Sequence, residues 1–120
     1  MIRLRLLAAV SAMLLAGSAF GHARLRSTMP AADAELQVAP KTLTLTFNEK
    51  ARLAVLSLSI AGKEIPVTVD RNAPAAAEVT VALPALAAGK YLVKWSALSP
   101  DDGHVTKGAF WFAVVGPGAA

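Results

Sequence analysis

Cysteine is absent from the 120-residue chain. Disulfide bridges, thiolate metal sites and cysteine nucleophiles are therefore excluded. Histidine is almost absent as well, occurring only as His22 and His104. Charged residues make up 17% and aromatic residues 6% of the chain, which rules out a highly charged disordered segment and a basic surface interleaved with stacking rings. No long helical periodicity is present after the first segment, and 26 of the apolar residues are alanines. Leucine, valine, isoleucine and phenylalanine must therefore supply most of the core.

The one long apolar run stands at the start. Arg3 and Arg5 precede a stretch from Leu6 to Ala16, and Ser18-Ala19-Phe20-Gly21 follows with small residues where a signal peptidase requires them. The run is shorter than the ~20 residues that span a bilayer. It predicts a cleaved export signal over residues 1–21 and a single domain over residues 22–120. Removing Arg3 and Arg5 leaves 10 Lys+Arg against 8 Asp+Glu, so the formal charge falls from +4 to +2. The remaining basic residues are scattered, and nucleic-acid binding is not expected.

The rest alternates as strands do. Thr42 to Phe47 places Leu43, Leu45 and Phe47 on one face and threonines on the other. Leu56 to Ile60 repeats the pattern, and Ala61-Gly62-Lys63 offers a turn into Ile65 to Val69, so these two runs predict a hairpin with Pro66 on an edge. Val79 to Leu83, Tyr91 to Trp95 and Ala109 to Val115 are further candidate strands. Pro30, Pro40, Pro74, Pro84 and Pro100 all fall between runs, where they cost no ladder hydrogen bond. Leu86-x-x-Gly89-x-Tyr91-x-Val93-x-Trp95 resembles the turn-into-strand segment of immunoglobulin-like domains, in which a tyrosine hydroxyl ties back to a nearby backbone group. The expected fold is all-β: an immunoglobulin-like or cupredoxin-like antiparallel Greek-key sandwich of about seven strands.

Both histidines occupy informative positions. Cleavage after Gly21 would make His22 the amino terminus, where the free amine and Nδ1 of one residue can chelate one metal ion. The second lies in Asp102-Gly103-His104, which puts a carboxylate and an imidazole two residues apart with a flexible glycine between them. Amine, imidazole and carboxylate without sulfur favour Cu(II) in a tetragonal arrangement over Zn(II) or Ni(II). Asp-Gly is equally a common turn pair, and an exposed histidine is usually only solvated. The metal reading requires the fold to bring residues 22 and 104 together.

Four segments resemble the CopC-type periplasmic copper-binding proteins. They are His22-Ala23-x-Leu25 with Ser27-Thr28-Met29-Pro30-Ala31, then Leu45-Thr46-Phe47-Asn48-Glu49, then the Leu86 to Trp95 segment, and Ser99-x-x-Asp102-Gly103-His104-x-x-x-Gly108. The resemblance implies one Cu(II) per chain, held by the amine and imidazole of His22, the imidazole of His104 and the carboxylate of Asp102. It suggests Glu49 as an outer carboxylate accepting a hydrogen bond from the bound amine, and Trp95 as a core residue close enough to report metal binding. It also implies a periplasmic location, a role in copper homeostasis or resistance without catalysis, and an inner-membrane copper importer of CopD type as partner; apart from the resemblance, nothing in the sequence demands more than a monomer. Some members carry a methionine-rich loop for Cu(I). Past residue 21 this chain has only Met29, which is expected to pack, so a Cu(II)-only member is anticipated.

Two other readings compete. An N-terminal histidine chelate with a second histidine is also similar to copper monooxygenases, although Asp102 would fill the position that oxygen activation needs open. A metal-free immunoglobulin-like interaction module would leave both histidines incidental.

Overall fold

The structure, a computed structural model, describes residues 23–116, and those residues form seven strands and no helix. They are β1 (Leu25–Met29), β2 (Glu35–Leu36), β3 (Thr42–Ile60), β4 (Lys63–Ile65), β5 (Ala76–Ala82), β6 (Gly89–Leu98) and β7 (Val105–Val114). The first half of β3 pairs antiparallel with β1 and β5, giving one sheet. The second half pairs antiparallel with β4 and β6, β6 pairs with β7, and β7 with β2, giving the other.

The two runs expected as separate strands, Thr42 to Phe47 and Leu56 to Ile60, thus belong to one strand of 19 residues. Their alternation differs in phase because the register with β6 shifts between Leu53 and Val55, where a bulge inserts one residue and exchanges the inward and outward faces. Buried positions accordingly pass from Leu43, Leu45, Phe47, Ala51 and Leu53 to Leu56 and Leu58. The pairing with β5 is also interrupted, between Thr46 and Ala51. This is the segment where β3 leaves one sheet for the other. The expected hairpin forms, with Leu58 opposite Ile65, but β4 ends at Ile65, immediately before Pro66.

One pair departs from the antiparallel expectation: β2 lies parallel to β7, Glu35 opposite Ala113 and Leu36 opposite Val114. The chain leaves β1 in one sheet and crosses to the edge of the other through Pro30 to Ala34. There Asp33 N–H donates to the Trp111 carbonyl at 2.6 Å and Ala113 N–H donates to the Ala34 carbonyl at 2.9 Å. Crossing between sheets, rather than turning within one, sets the parallel direction.

The core lies between the sheets. Leu43, Leu45 and Phe47 meet Tyr91, Val93 and Trp95 of β6 and Phe110, Phe112 and Val114 of β7, all below 10% exposed. Each large side chain buried this way contributes about 1.5–3 kcal/mol relative to exposure, so the domain can dispense with disulfides. Tyr91 stacks on Phe112 at 5.3 Å, and its hydroxyl donates to the Ala87 carbonyl at 2.7 Å, the tie-back expected from the sequence. Burial raises the hydroxyl above its ordinary pKa of 10.0. The folded state therefore holds that proton more tightly than the unfolded chain, so stability falls as pH rises above 10 toward the raised value.

Tyr91→Phe is expected to lower unfolding free energy by about 1–2 kcal/mol, because it leaves the Ala87 carbonyl without its donor. It should also remove the Tyr91 contribution to the loss of stability expected of the native protein above pH 10. Urea denaturation across that range checks both outcomes.

Candidate metal centre

Strands β6 and β7 are joined at one end of the sandwich by residues 99–104, the segment that holds the carboxylate-glycine-histidine motif. Two backbone hydrogen bonds close it: Ser99 N–H donates to the His104 carbonyl at 2.8 Å, and Gly103 N–H donates to the Ser99 carbonyl at 2.9 Å. Gly103 has φ of 73°, a left-handed conformation that a glycine adopts without steric cost. Ser99 is 1% exposed, and its hydroxyl has no hydrogen-bond partner among the described residues.

Inside this loop Asp102 grips His104 twice. One carboxylate oxygen accepts the His104 backbone N–H at 3.1 Å, and the other lies 3.0 Å from His104 Nδ1. The two groups expected to converge do so. The 3.0 Å contact is that of an ordinary hydrogen bond or ion pair, and it brings an oxygen and a nitrogen donor together on one side of the loop. The His104 and Asp102 side chains are 59% and 39% exposed, which places the pair on the surface rather than in a cavity.

His22 lies outside the described residues. The residues that follow it are firmly placed. Ala23 is fully buried, and its carbonyl accepts a hydrogen bond from Thr106 Oγ1 at 2.9 Å. Thr106 stands two residues beyond His104, at the start of β7. Arg24 is held from the opposite sheet: its N–H donates to Asn48 Oδ1 at 2.6 Å, and Asn48 N–H donates to its carbonyl at 2.9 Å. The chain immediately after His22 is thus fastened to β7 and to β3 at once. An 83-residue separation between Ala23 and Thr106 closes to one hydrogen bond.

Glu49 follows Asn48 in the crossing segment of β3 and is half-buried. Among the described residues no group of three or more His, Asp or Glu side chains is assembled, so Glu49 does not join Asp102 and His104 as a third member. Trp95 is a core residue as expected, 7% exposed and edge-on to Phe47 at 5.6 Å. Gly108, opposite Trp95 on β7, suits this packing, since a Cβ there would lie 3.0–3.2 Å from three indole atoms and the ring would have to give way. Met29 corrects an expectation. It is 70% exposed and does not pack, because it sits on edge strand β1 opposite Thr44, whose side of the sheet faces outward. Asn48 and Thr106, which fasten Arg24 and Ala23, carry no local sequence signal for that role, because each bonds a segment remote in the chain.

Residues 25–115 match the CopC domain family, and the chain belongs to that family. It is 34% identical over 115 residues to Protein YobA of Escherichia coli K12 and of Shigella flexneri, covering 90% of each chain. Among solved structures it is similar to CopC from Methylosinus trichosporium OB3b, with 32% identity, a TM-score of 0.65 and coverage of 80% of this chain and 96% of that one. It is also similar to PcoC, a methionine-rich copper resistance protein from Escherichia coli, with 27% identity, a TM-score of 0.61 and coverage of 79% and 100%.

Two substitutions test how the site is built. Thr106→Val is expected to cost about 0.5–1.5 kcal/mol of stability through loss of the Ala23 hydrogen bond, with Thr106→Ser close to native, as measured by urea denaturation. Gly108→Ala is expected to displace the Trp95 indole, costing about 1–3 kcal/mol and shifting the buried component of tryptophan emission.

Proposed function

We propose that this protein is a periplasmic Cu(II)-binding member of the CopC family, which sequesters or delivers one copper ion per chain and performs no catalysis. The observation that carries this reading is the Asp102 to His104 pair, held at 3.0 Å within a loop closed by its own backbone. The ligand set is the amine and imidazole of His22, the imidazole of His104 and the carboxylate of Asp102, with Glu49 as an outer acceptor for the bound amine. Fastening of Ala23 and Arg24 to two strands supports it, because that arm sets where a residue at position 22 can reach.

The family membership and the copper resistance named for PcoC support copper as the ion. Residues 1–21 act as the export signal, and their removal creates the amine ligand. The expected partner is an inner-membrane importer of CopD type. Selectivity for Cu(II) over Cu(I) follows from the donor set. Met29, the single methionine beyond residue 21, stands alone in solvent, and one thioether cannot hold the softer ion.

The test is a Cu(II) competition titration against a chelator of known affinity, using the chain that begins at His22 and following Trp95 emission. One equivalent is expected to bind tightly. Affinity should weaken as pH falls, since amine and imidazole must both lose protons to coordinate. His104→Ala, Asp102→Ala and a single residue added before His22 should each remove most of the tight binding. Unchanged affinity in the extended chain would sink the amine assignment.

A further inference from the structure

The outward faces of the two sheets differ sharply in charge. The smaller sheet presents threonines, with Thr44 and Thr80 hydrogen-bonded to each other at 3.0 Å, and a single carboxylate at Glu78. On the larger sheet the outward positions of β6 and β7 carry Lys90, Lys94 and Lys107. No acidic residue occurs anywhere in β6, β7 or residues 52–60 of β3. Carboxylates border this face at Glu35 and Glu64, on the short edge strands opposite Ala113 and Ser59, and at Asp101 and Asp102 in the loop between β6 and β7.

Lys94 lies opposite Ala109 and Lys107 opposite Ser96, so the two ammonium groups are diagonal neighbours across the β6–β7 pair. Such neighbours are about 7–8 Å apart at the backbone, within reach of long side chains. No ion pair among the described residues relieves them. Beside them Trp111 is 41% exposed, with Lys90 Nζ 4.8 Å from its ring centre, and Val55 and Val105 are also exposed.

We propose that the outward face of the larger sheet docks on an anionic phospholipid bilayer, with Lys90, Lys94 and Lys107 meeting the headgroup charges and Trp111 seated at the interface. Lysine is depleted from protein–protein interfaces, whereas lysine beside tryptophan is the combination that bilayer interfaces favour. An acidic bilayer also supplies the counter-charge that the fold itself withholds from Lys94 and Lys107. The strands run along this face, so the loop with Asp102 and His104 stands at its rim. Docking and metal capture are therefore compatible, and the inference does not depend on the copper reading.

The experiment is co-sedimentation of the chain beginning at His22, which contains every described strand and lacks the apolar first segment, with vesicles of equal parts phosphatidylglycerol and phosphatidylcholine. Binding is expected to these vesicles and not to phosphatidylcholine alone, and to decline as salt is raised. A lysine near an anionic surface is worth about fivefold in partitioning, so the Lys94→Gln, Lys107→Gln double variant should lose about 25-fold. Both residues are exposed, and unchanged circular dichroism and urea denaturation midpoint establish that the variant folds. Native protein should show a blue shift of emission on binding that Trp111→Phe lacks. Absence of binding to anionic vesicles, or equal binding by the double variant, overturns the proposal. Binding to polyglutamate but not to vesicles would also overturn it, assigning the face to an acidic protein instead.

Discussion

Strand β3 belongs to both sheets, and the placement of everything else follows from that. Its first half carries β1 and β5 and its second half carries β4 and β6, so the two layers are covalently one element rather than two stacked by side chains alone. The crossing has a cost, because pairing with β5 lapses between Thr46 and Ala51 and a bulge is needed at Leu53 to Val55 to restore an inward apolar face. Backbone groups freed by such a lapse need other partners. On its other edge the crossing segment stays paired, since the register of β1 with β3 continues to residue 24, whose carbonyl accepts from Asn48 N–H.

The candidate site is a by-product of this arrangement. A sandwich whose strands end at a common rim brings the β6–β7 loop, the start of β1 and the crossing of β3 to neighbouring positions, although they are remote in the chain. Within the loop, the carboxylate and imidazole are held by local hydrogen bonds that require only six residues and one left-handed glycine. Placement of the chain after His22 instead requires both sheets. The loop geometry is thus set by contacts within a few residues, whereas the seating of Ala23 and Arg24 needs both sheets, and burial of Ala23 ties that seating to the core.

The two broad faces diverge in the same manner. Sheet positions alternate inward and outward, so residues scattered in sequence, such as Lys90, Lys94 and Lys107, gather on one surface while their strand neighbours Tyr91, Val93 and Trp95 fill the core. The modest net charge of the whole chain conceals this, because charge balance is a sum and a face is a selection.

Local pattern carried a large part of the structure. Alternation located Leu43, Leu45, Phe47, Leu58 and Val93 in the core, spacing from Leu86 to Trp95 anticipated the Tyr91 tie-back, and Asp102-Gly103-His104 marked the loop where a carboxylate and an imidazole meet. These depend on interactions within a few residues, or on the two-residue period that any half-buried strand must show. The unity of β3, the parallel seating of β2 beside β7, the exposure of Met29 and the roles of Asn48 and Thr106 were decided by the tertiary structure alone. Each depends on which distant segment lies alongside, and one-dimensional periodicity contains a strand's two faces but not its neighbours.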